Sequence, residues 1–195
     1  WNETLLCKVA IKEFYPGQIC ERDSDGITVR PKDAKSAHHF RAGLQSFLEE
    51  ARSVANLQDI KGVVAIYTFF EQNGTGYIGM EYLEGMDVKS ILKQSGNKKD
   101  YEWCRRVILT VLHTLKDIHK RGVLHRDIAP DNVFVTNEGV IKLIDFGAAK
   151  HASELANIRT EIVLKQGYAP IEQYSKTAKQ GPYTDLYAVA ALFYR

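Results

Sequence analysis

Residues 7–15, CKVAIKEFY, alternate between apolar and polar positions, which predicts a strand with Ala10 and Lys12 on one side and Val9 and Ile11 on the other. The segment that follows, PGQICERDSDGITVRPKDAKSA, is rich in Pro, Gly, Asp and Ser and predicts a long loop with a short hairpin inside it. Phe40, Leu44, Phe47, Leu48, Ala51 and Val54 then recur at spacings of three and four, the pattern of an amphipathic helix. On that helix Glu50 falls at the edge of the apolar face and Glu49 points outward. VVAIYTFF and YIGMEYL flank EQNGTG, and Asn73 and Gly74 supply the turn chemistry of an antiparallel hairpin.

After Gly85 the pattern changes. DVKSILKQ predicts a short helix, and Trp103, Val107, Val111, Leu115 and Ile118 mark a long amphipathic one ending near Gly122. Two short apolar runs, NVFV and VIKLI, predict strands joined by the turn TNEG, with polar groups clustered at their ends. The late apolar run YAVAALFY at 187–194 is helical in pattern and too short to span a bilayer. Residues 1–83 therefore read as strands with one helix and 84–195 as mainly helical, with the boundary at Leu83 to Gly85. The chain opens without Met and stops inside an apolar helical pattern, which predicts a piece of a longer protein cut at both ends.

Composition narrows the class without naming a chemistry. The 195 residues, 45% hydrophobic and 26% charged, describe an ordinary globular chain. Its 26 basic and 24 acidic side chains are interspersed, so a net charge of +2 writes no broad field for nucleic acid and no membrane contact into this segment. Cys7, Cys20 and Cys104 are an odd set without metal-ligand spacing, which predicts buried thiols in a reducing, cytoplasmic setting. His38 and His39 adjoin each other without a second ligand cluster and predict no metal site.

The chemistry lies in the order of short strings: VAIK, the helical Glu50, MEYLEG, HRDIAPDN, DFG and GYAPIEQY. In that order and context they resemble the protein-kinase signature set over essentially the whole chain. The long loop after VAIKEFYP, with APIEQY and GPYTDLYA, is most similar to bacterial, eukaryotic-like serine/threonine kinases. The resemblance implies an α+β, two-lobed fold truncated at both ends, with an antiparallel-sheet N-lobe carrying one helix and a mainly helical C-lobe. It further implies transfer of the ATP γ-phosphoryl group to Ser or Thr hydroxyls of a protein substrate, with Mg²⁺.

Residue by residue, the resemblance implies that Lys12 holds the α and β phosphates and pairs with Glu50, because an unpaired buried ammonium is costly. Asp145 and Asn132 are the implied oxygen ligands of Mg²⁺, and Asp127 the carboxylate that orients the acceptor hydroxyl and takes its proton. For adenine, Met80 is the implied gatekeeper, the Glu81 carbonyl and Leu83 amide the hinge groups, Ala10 and Phe134 the covers of the ring faces, and Asp87 the ribose contact. Arg126 resembles the arginine that answers an activation-loop phosphate, for which Ser153 and Thr160 are the available acceptors. His125 and Phe146 look like members of a stacked apolar spine with Val54 and Ile66, anchored by Asp185.

Three departures stand out. Nothing before Val9 resembles the family's Gly-rich phosphate loop. The acid at Glu172 normally pairs with an arginine beyond this chain, so it is expected to lack a partner. Position 129, ordinarily a lysine in serine/threonine kinases, is Ala129, whereas Lys165 stands where such kinases usually carry a threonine. Lys165 is therefore expected to reach in from the docking segment and replace the missing charge. Two competing readings remain at this level: a pseudokinase scaffold, disfavoured by Lys12, Glu50, Asp127, Asn132 and Asp145 all being present, and a small-molecule phosphotransferase, disfavoured by the peptide-docking segment LKQGYAPIEQY.

Overall fold

The computed structural model describes residues 6–96, 98–146, 164–175 and 177–194. Its described residues form two compact units: one of the residues up to Asn56 together with Ala65–Tyr82, the other of Leu57–Val64 together with the residues from Leu83 onward. Leu57–Val64 thus joins the second unit, across the boundary that periodicity places near Leu83.

In the first unit β1 (Val9–Glu13), β4 (Ile66–Gln72) and β5 (Thr75–Glu81) form an antiparallel sheet in the order β1-β5-β4. The β4–β5 turn places Asn73 and Gly74 at φ 52° and 73°, the left-handed pair that a tight hairpin needs. The long loop after β1 does hold a hairpin, β2 (Cys20–Arg22) against β3 (Val29–Pro31). Asp33 caps the helix that follows, α1 (Ala34–Ala55), by accepting from the Ser36 N–H at 2.7 Å. That helix buries Phe40, Phe47, Ala51 and Val54, as its three-and-four spacing demands, at roughly 1.5–3 kcal/mol for each large side chain. Glu49 is half-buried and accepts from the Gln45 amide at 2.9 Å.

In the second unit β6 (Gly85–Asp87), β7 (Val133–Thr136) and β8 (Ile141–Leu143) make a small antiparallel sheet. Around it lie α2 (Val88–Gln94), α3 (Tyr101–Lys120) and α4 (Pro182–Tyr194). α3 stops where the sequence places its end: Gly122, at φ 73°, donates its N–H to His119 O at 2.9 Å and Val123 donates to Ile118 O at 3.4 Å. Val63, expected to begin the long hairpin, instead forms an isolated parallel bridge with Leu143, and β4 starts at Ile66. Only Cys20 is a buried thiol; Cys7 and Cys104 are half-buried. No helix among the described residues is long and apolar enough to cross a membrane.

Asp185, at the start of α4, is fully buried. Its carboxylate accepts from the backbone N–H of His125 at 2.9 Å and of Arg126 at 2.7 Å, and His119 Nε2 lies 2.7 Å away. Burial alone would raise its pKa, but the bonds from His119, Arg126 and His125 outweigh burial and hold it below the usual carboxylate range. Glu172, expected to be alone, accepts from the Thr184 hydroxyl at 2.9 Å in the same helix start.

Two outcomes follow from this packing. Asp185→Ala strands two buried N–H groups and should cost about 3–5 kcal/mol in a urea melt. Because its folded pKa is depressed, the contribution of Asp185 is full above the unfolded pKa and is lost as pH falls through the lower folded value; acid titration of wild type against Asp185→Ala reads this directly. Gly62→Ala would drive a methyl group into the Thr114 side chain and should cost about 1–3 kcal/mol by the same melt.

Candidate active site

HRDIAPDN forms the loop between α3 and β7, held at its first residues by Asp185. Arg126 sits at φ 65°, a left-handed conformation that costs a non-glycine residue roughly 1–3 kcal/mol. It is held there from both ends: Asp185 takes its N–H, and Gln173 Nε2 donates to its carbonyl at 2.7 Å. Gln173, buried within GYAPIEQY, thereby ties that segment to this loop. Burial pushes the Arg126 guanidinium below its ordinary pKa, and its Nε has no hydrogen-bond partner among the described residues.

Asp127 is fixed by its neighbours along the loop. Its N–H donates to His125 Nδ1 at 3.3 Å, which puts the neutral ring's proton on Nε2. Burial holds His125 below its ordinary pKa, and its ring packs 4.3 Å from that of Phe146. Asn132 Nδ2 donates to the Asp127 carbonyl at 2.8 Å and to Oδ2 at 2.7 Å. Lys165 Nζ lies 3.2 Å from the same Oδ2 and 2.7 Å from Asp131 Oδ1. Desolvation pushes the Asp127 pKa up, and Lys165 and Asn132 pull it only part of the way back. Lys165 is the converse case: burial opposes its charge, but the bonds to Asp131 and Asp127 win and its pKa is raised.

The amide nitrogen of Asn132 is committed to Asp127, so its Oδ1 is the atom left to meet a cation. The Ile144 N–H donates to Asn132 O at 3.0 Å, which brings the next residue, Asp145 at φ 57°, beside Asn132. One carboxylate and one amide oxygen suit Mg²⁺ whose shell is completed by phosphates and water. Among the described residues no group of three His, Cys, Asp or Glu is placed to hold a metal by protein ligands alone.

In the first unit, Lys12 Nζ lies 3.9 Å from Glu50 Oε1 and 5.8 Å from the centre of the Phe47 ring. Glu50 is well buried and Lys12 about one-third exposed. Ala10 and Met80 are register partners in the same sheet, and the Glu81 N–H donates to Ala65 O at 2.9 Å. Leu83, Asp87 and Phe134 belong to the second unit, where Asp87 and Phe134 face each other in register. The Asp87 carboxylate also caps α2, accepting from the Ser90 N–H at 2.8 Å and hydroxyl at 2.7 Å. Ser153 and Thr160 lie outside the described residues.

Sequence reasoning gave Asp131 and Gln173 no role. The signal for Asp131 is its place inside HRDIAPDN, where a second carboxylate lies within reach of the Lys165 ammonium.

The profile of the protein kinase domain matches residues 18–195. A probable serine/threonine-protein kinase of Clostridium perfringens is 34% identical over 151 residues, covering 77% of this chain and 22% of that protein. The probable serine/threonine-protein kinase PknB of Bifidobacterium longum is 32% identical over 165 residues, covering 77% of this chain and 23% of that one. Among solved structures, the apo form of PpkA-294 superposes on all of this chain and 67% of its own with a TM-score of 0.86 at 37% identity. The chain spans under a quarter of the length of those two curated relatives. With the signature strings in order, the two-unit fold and a profile match over most of its length, the chain belongs to the protein kinase domain family.

Proposed function

We propose that the protein containing this chain is a serine/threonine protein kinase that uses Mg·ATP. The observation that carries the reading is the Asp127 carboxylate, half-buried and held on one oxygen by Asn132 and Lys165. Both contacts fall on Oδ2, so Oδ1 keeps its lone pairs for an acceptor hydroxyl. A carboxylate whose pKa is raised by desolvation is also a better proton acceptor, the property a general base needs.

Mg²⁺, where bound, would neutralise charge on the transferring phosphates, with Asn132 Oδ1 and the Asp145 carboxylate as its protein ligands. Lys12 contacts the α and β phosphates, and Glu50 keeps that ammonium directed. Lys165 supplies a second fixed charge beside Asp127, at a site too dry for water to screen it fully. That placement accounts for Ala129: the residue is 1% exposed and packed, while the cation reaches the same carboxylate from the docking segment. Ala10, Met80, Glu81, Leu83, Asp87 and Phe134 are the proposed adenosine contacts. Arg126, whose Nε has no hydrogen-bond partner among the described residues, is the proposed receptor of a phosphate on Ser153 or Thr160.

The serine/threonine preference rests on names: both bacterial relatives described above are called probable serine/threonine-protein kinases. A scaffold reading would need the Asp127 cluster to be ornamental, whereas a desolvated carboxylate between an amide and an ammonium is costly to build for no chemical use.

In the complete protein, Asp127→Asn should lower turnover by roughly 10² or more with ATP affinity unchanged, and Asp145→Ala should abolish Mg²⁺-dependent transfer. Radiolabel transfer to a serine- or threonine-bearing protein, set beside nucleotide titration, measures both; ATP binding without transfer in wild type would support the scaffold instead. Lys165→Ala should reduce turnover by on the order of 10² at little change in ATP affinity, and Lys165→Arg should retain part of it. Wild-type turnover in Lys165→Ala would make it a bystander.

A further inference from the structure

The hairpin β2–β3 has no part in the site described above, yet it is bound to three different elements of the first unit. Its Cys20 and Val29 are buried together with Phe40 of α1, and Phe14, Ile19 and Leu44 pack against that cluster. Phe14, directly after β1, stacks its ring 5.2 Å from Phe40 and 5.5 Å from Phe47. Gly43 leaves room for it, since a Cβ there would lie 2.8 Å from the Phe14 ring. The Val29 N–H donates to Asn73 O at 2.9 Å, and Gly74 is glycine where any side chain would strike the Val29 carbonyl. At the base, Arg22 pairs with Glu13 of β1, whose other oxygen accepts from Tyr77 at 2.9 Å. Lys32 closes the hairpin's root by donating its ammonium to Gly17 O at 2.6 Å and its N–H to Ile19 O at 3.1 Å.

The helix so held is the one that carries Glu50. Phe40, Phe47 and Glu50 are spaced by seven and three residues, close to one face of a single uninterrupted helix, Ala34–Ala55. A rotation that carried Glu50 away from Lys12 would also pull Phe40 out of the cluster with Cys20 and Val29 and Phe47 away from Phe14. Two aromatic contacts of Phe14 and the burial of Phe40 against Cys20 and Val29 oppose that rotation, whereas the Lys12–Glu50 pair, at 3.9 Å, is too long to fix the helix by itself.

We infer that the β2–β3 hairpin is a built-in brace that sets the rotation of α1, so that Val29, Cys20 and Phe40 act as positioning residues for the Lys12–Glu50 pair. The brace is part of the chain between the strand that carries Lys12 and the helix that carries Glu50. The inference rests on the kinase reading for its catalytic consequence, but not for its structural one.

The test is a double-mutant cycle in the complete protein, with Val29→Ala crossed against Glu50→Gln. Val29→Ala alone should lower kcat/KM for ATP about tenfold, and in the Glu50→Gln background it should lower it less than about twofold, because the brace acts through Glu50. Loss of folding would appear as the same fold-change in both backgrounds, and that additive result overturns the inference. Phe40→Leu, which keeps an apolar side chain in the cluster but loses the ring contact, should fall between wild type and Val29→Ala. Hydrogen exchange of the α1 amides supplies an arm independent of activity: they should exchange faster in Val29→Ala while those of α3 do not change. Unchanged α1 exchange overturns the brace. An inactive wild type with the expected exchange pattern would instead remove the kinase reading and leave the brace standing.

Discussion

A single buried carboxylate organises the second unit. Asp185 has no exposure to water, and it is tolerable as an anion only because two backbone N–H groups and His119 surround it. Those two N–H groups belong to His125 and Arg126, the residues that lead into Asp127. The bond to Arg126 helps to offset a left-handed backbone that this residue type would not choose alone. What looks like a helix-start acid in the sequence is therefore the fixed point from which the loop takes its path. Gln173 adds a second tie at the Arg126 carbonyl, joining the loop to GYAPIEQY.

Downstream of that anchor the charges are arranged by desolvation. Asp127 is drawn toward its neutral form by burial and toward its charged form by Lys165 and Asn132. Lys165 is shared between Asp127 and Asp131, and Asp131 is approached in turn by Lys89 at 3.9 Å. A lysine with two carboxylates at hydrogen-bond distance has one retained charge and little freedom to swing away, which is what a preorganised electrostatic contact requires. The same ammonium at position 129 would have to leave a backbone site that is now packed to 1% exposure. The cation and the small buried residue are two halves of one arrangement.

Much of this was legible in the sequence because it follows from local periodicity. The spacing of Phe40, Phe47, Ala51 and Val54 placed α1, and the ordered strings located Lys12, Glu50, Asp127, Asn132 and Asp145 on the elements where they stand. The missed features are those in which long-range pairing overrides local pattern. No strand is expected at Gly85–Asp87, where the pattern places a boundary and the start of a helix, but β7 supplies the partner that makes it one. Val63 has the composition of a hairpin strand, yet Leu143 claims it across 80 residues. Glu172 was expected to lack a partner because its usual partner is an arginine, whereas a neutral hydroxyl twelve residues away satisfies it. Likewise Asp87 carries a helix-capping duty that a ribose-contact reading alone does not include.

The two units solve one problem in different ways. Each must hold a lysine beside a carboxylate. In the second unit the ammonium sits 2.7 Å and 3.2 Å from two acids, so direct bonding fixes it. In the first unit the Lys12–Glu50 separation is 3.9 Å, and a bond of that length contributes little restraint. Packing adds restraint there, because the aromatic contacts of Phe14 with Phe40 and Phe47 lie on the helix that carries Glu50. Apolar packing has no charge for salt to screen and no proton to lose, whereas the Lys165 cluster has both. The orientation of α1 therefore depends on the core volume around Phe14, Phe40 and Phe47, whereas the loop around Asp127 carries the sensitivity to charge.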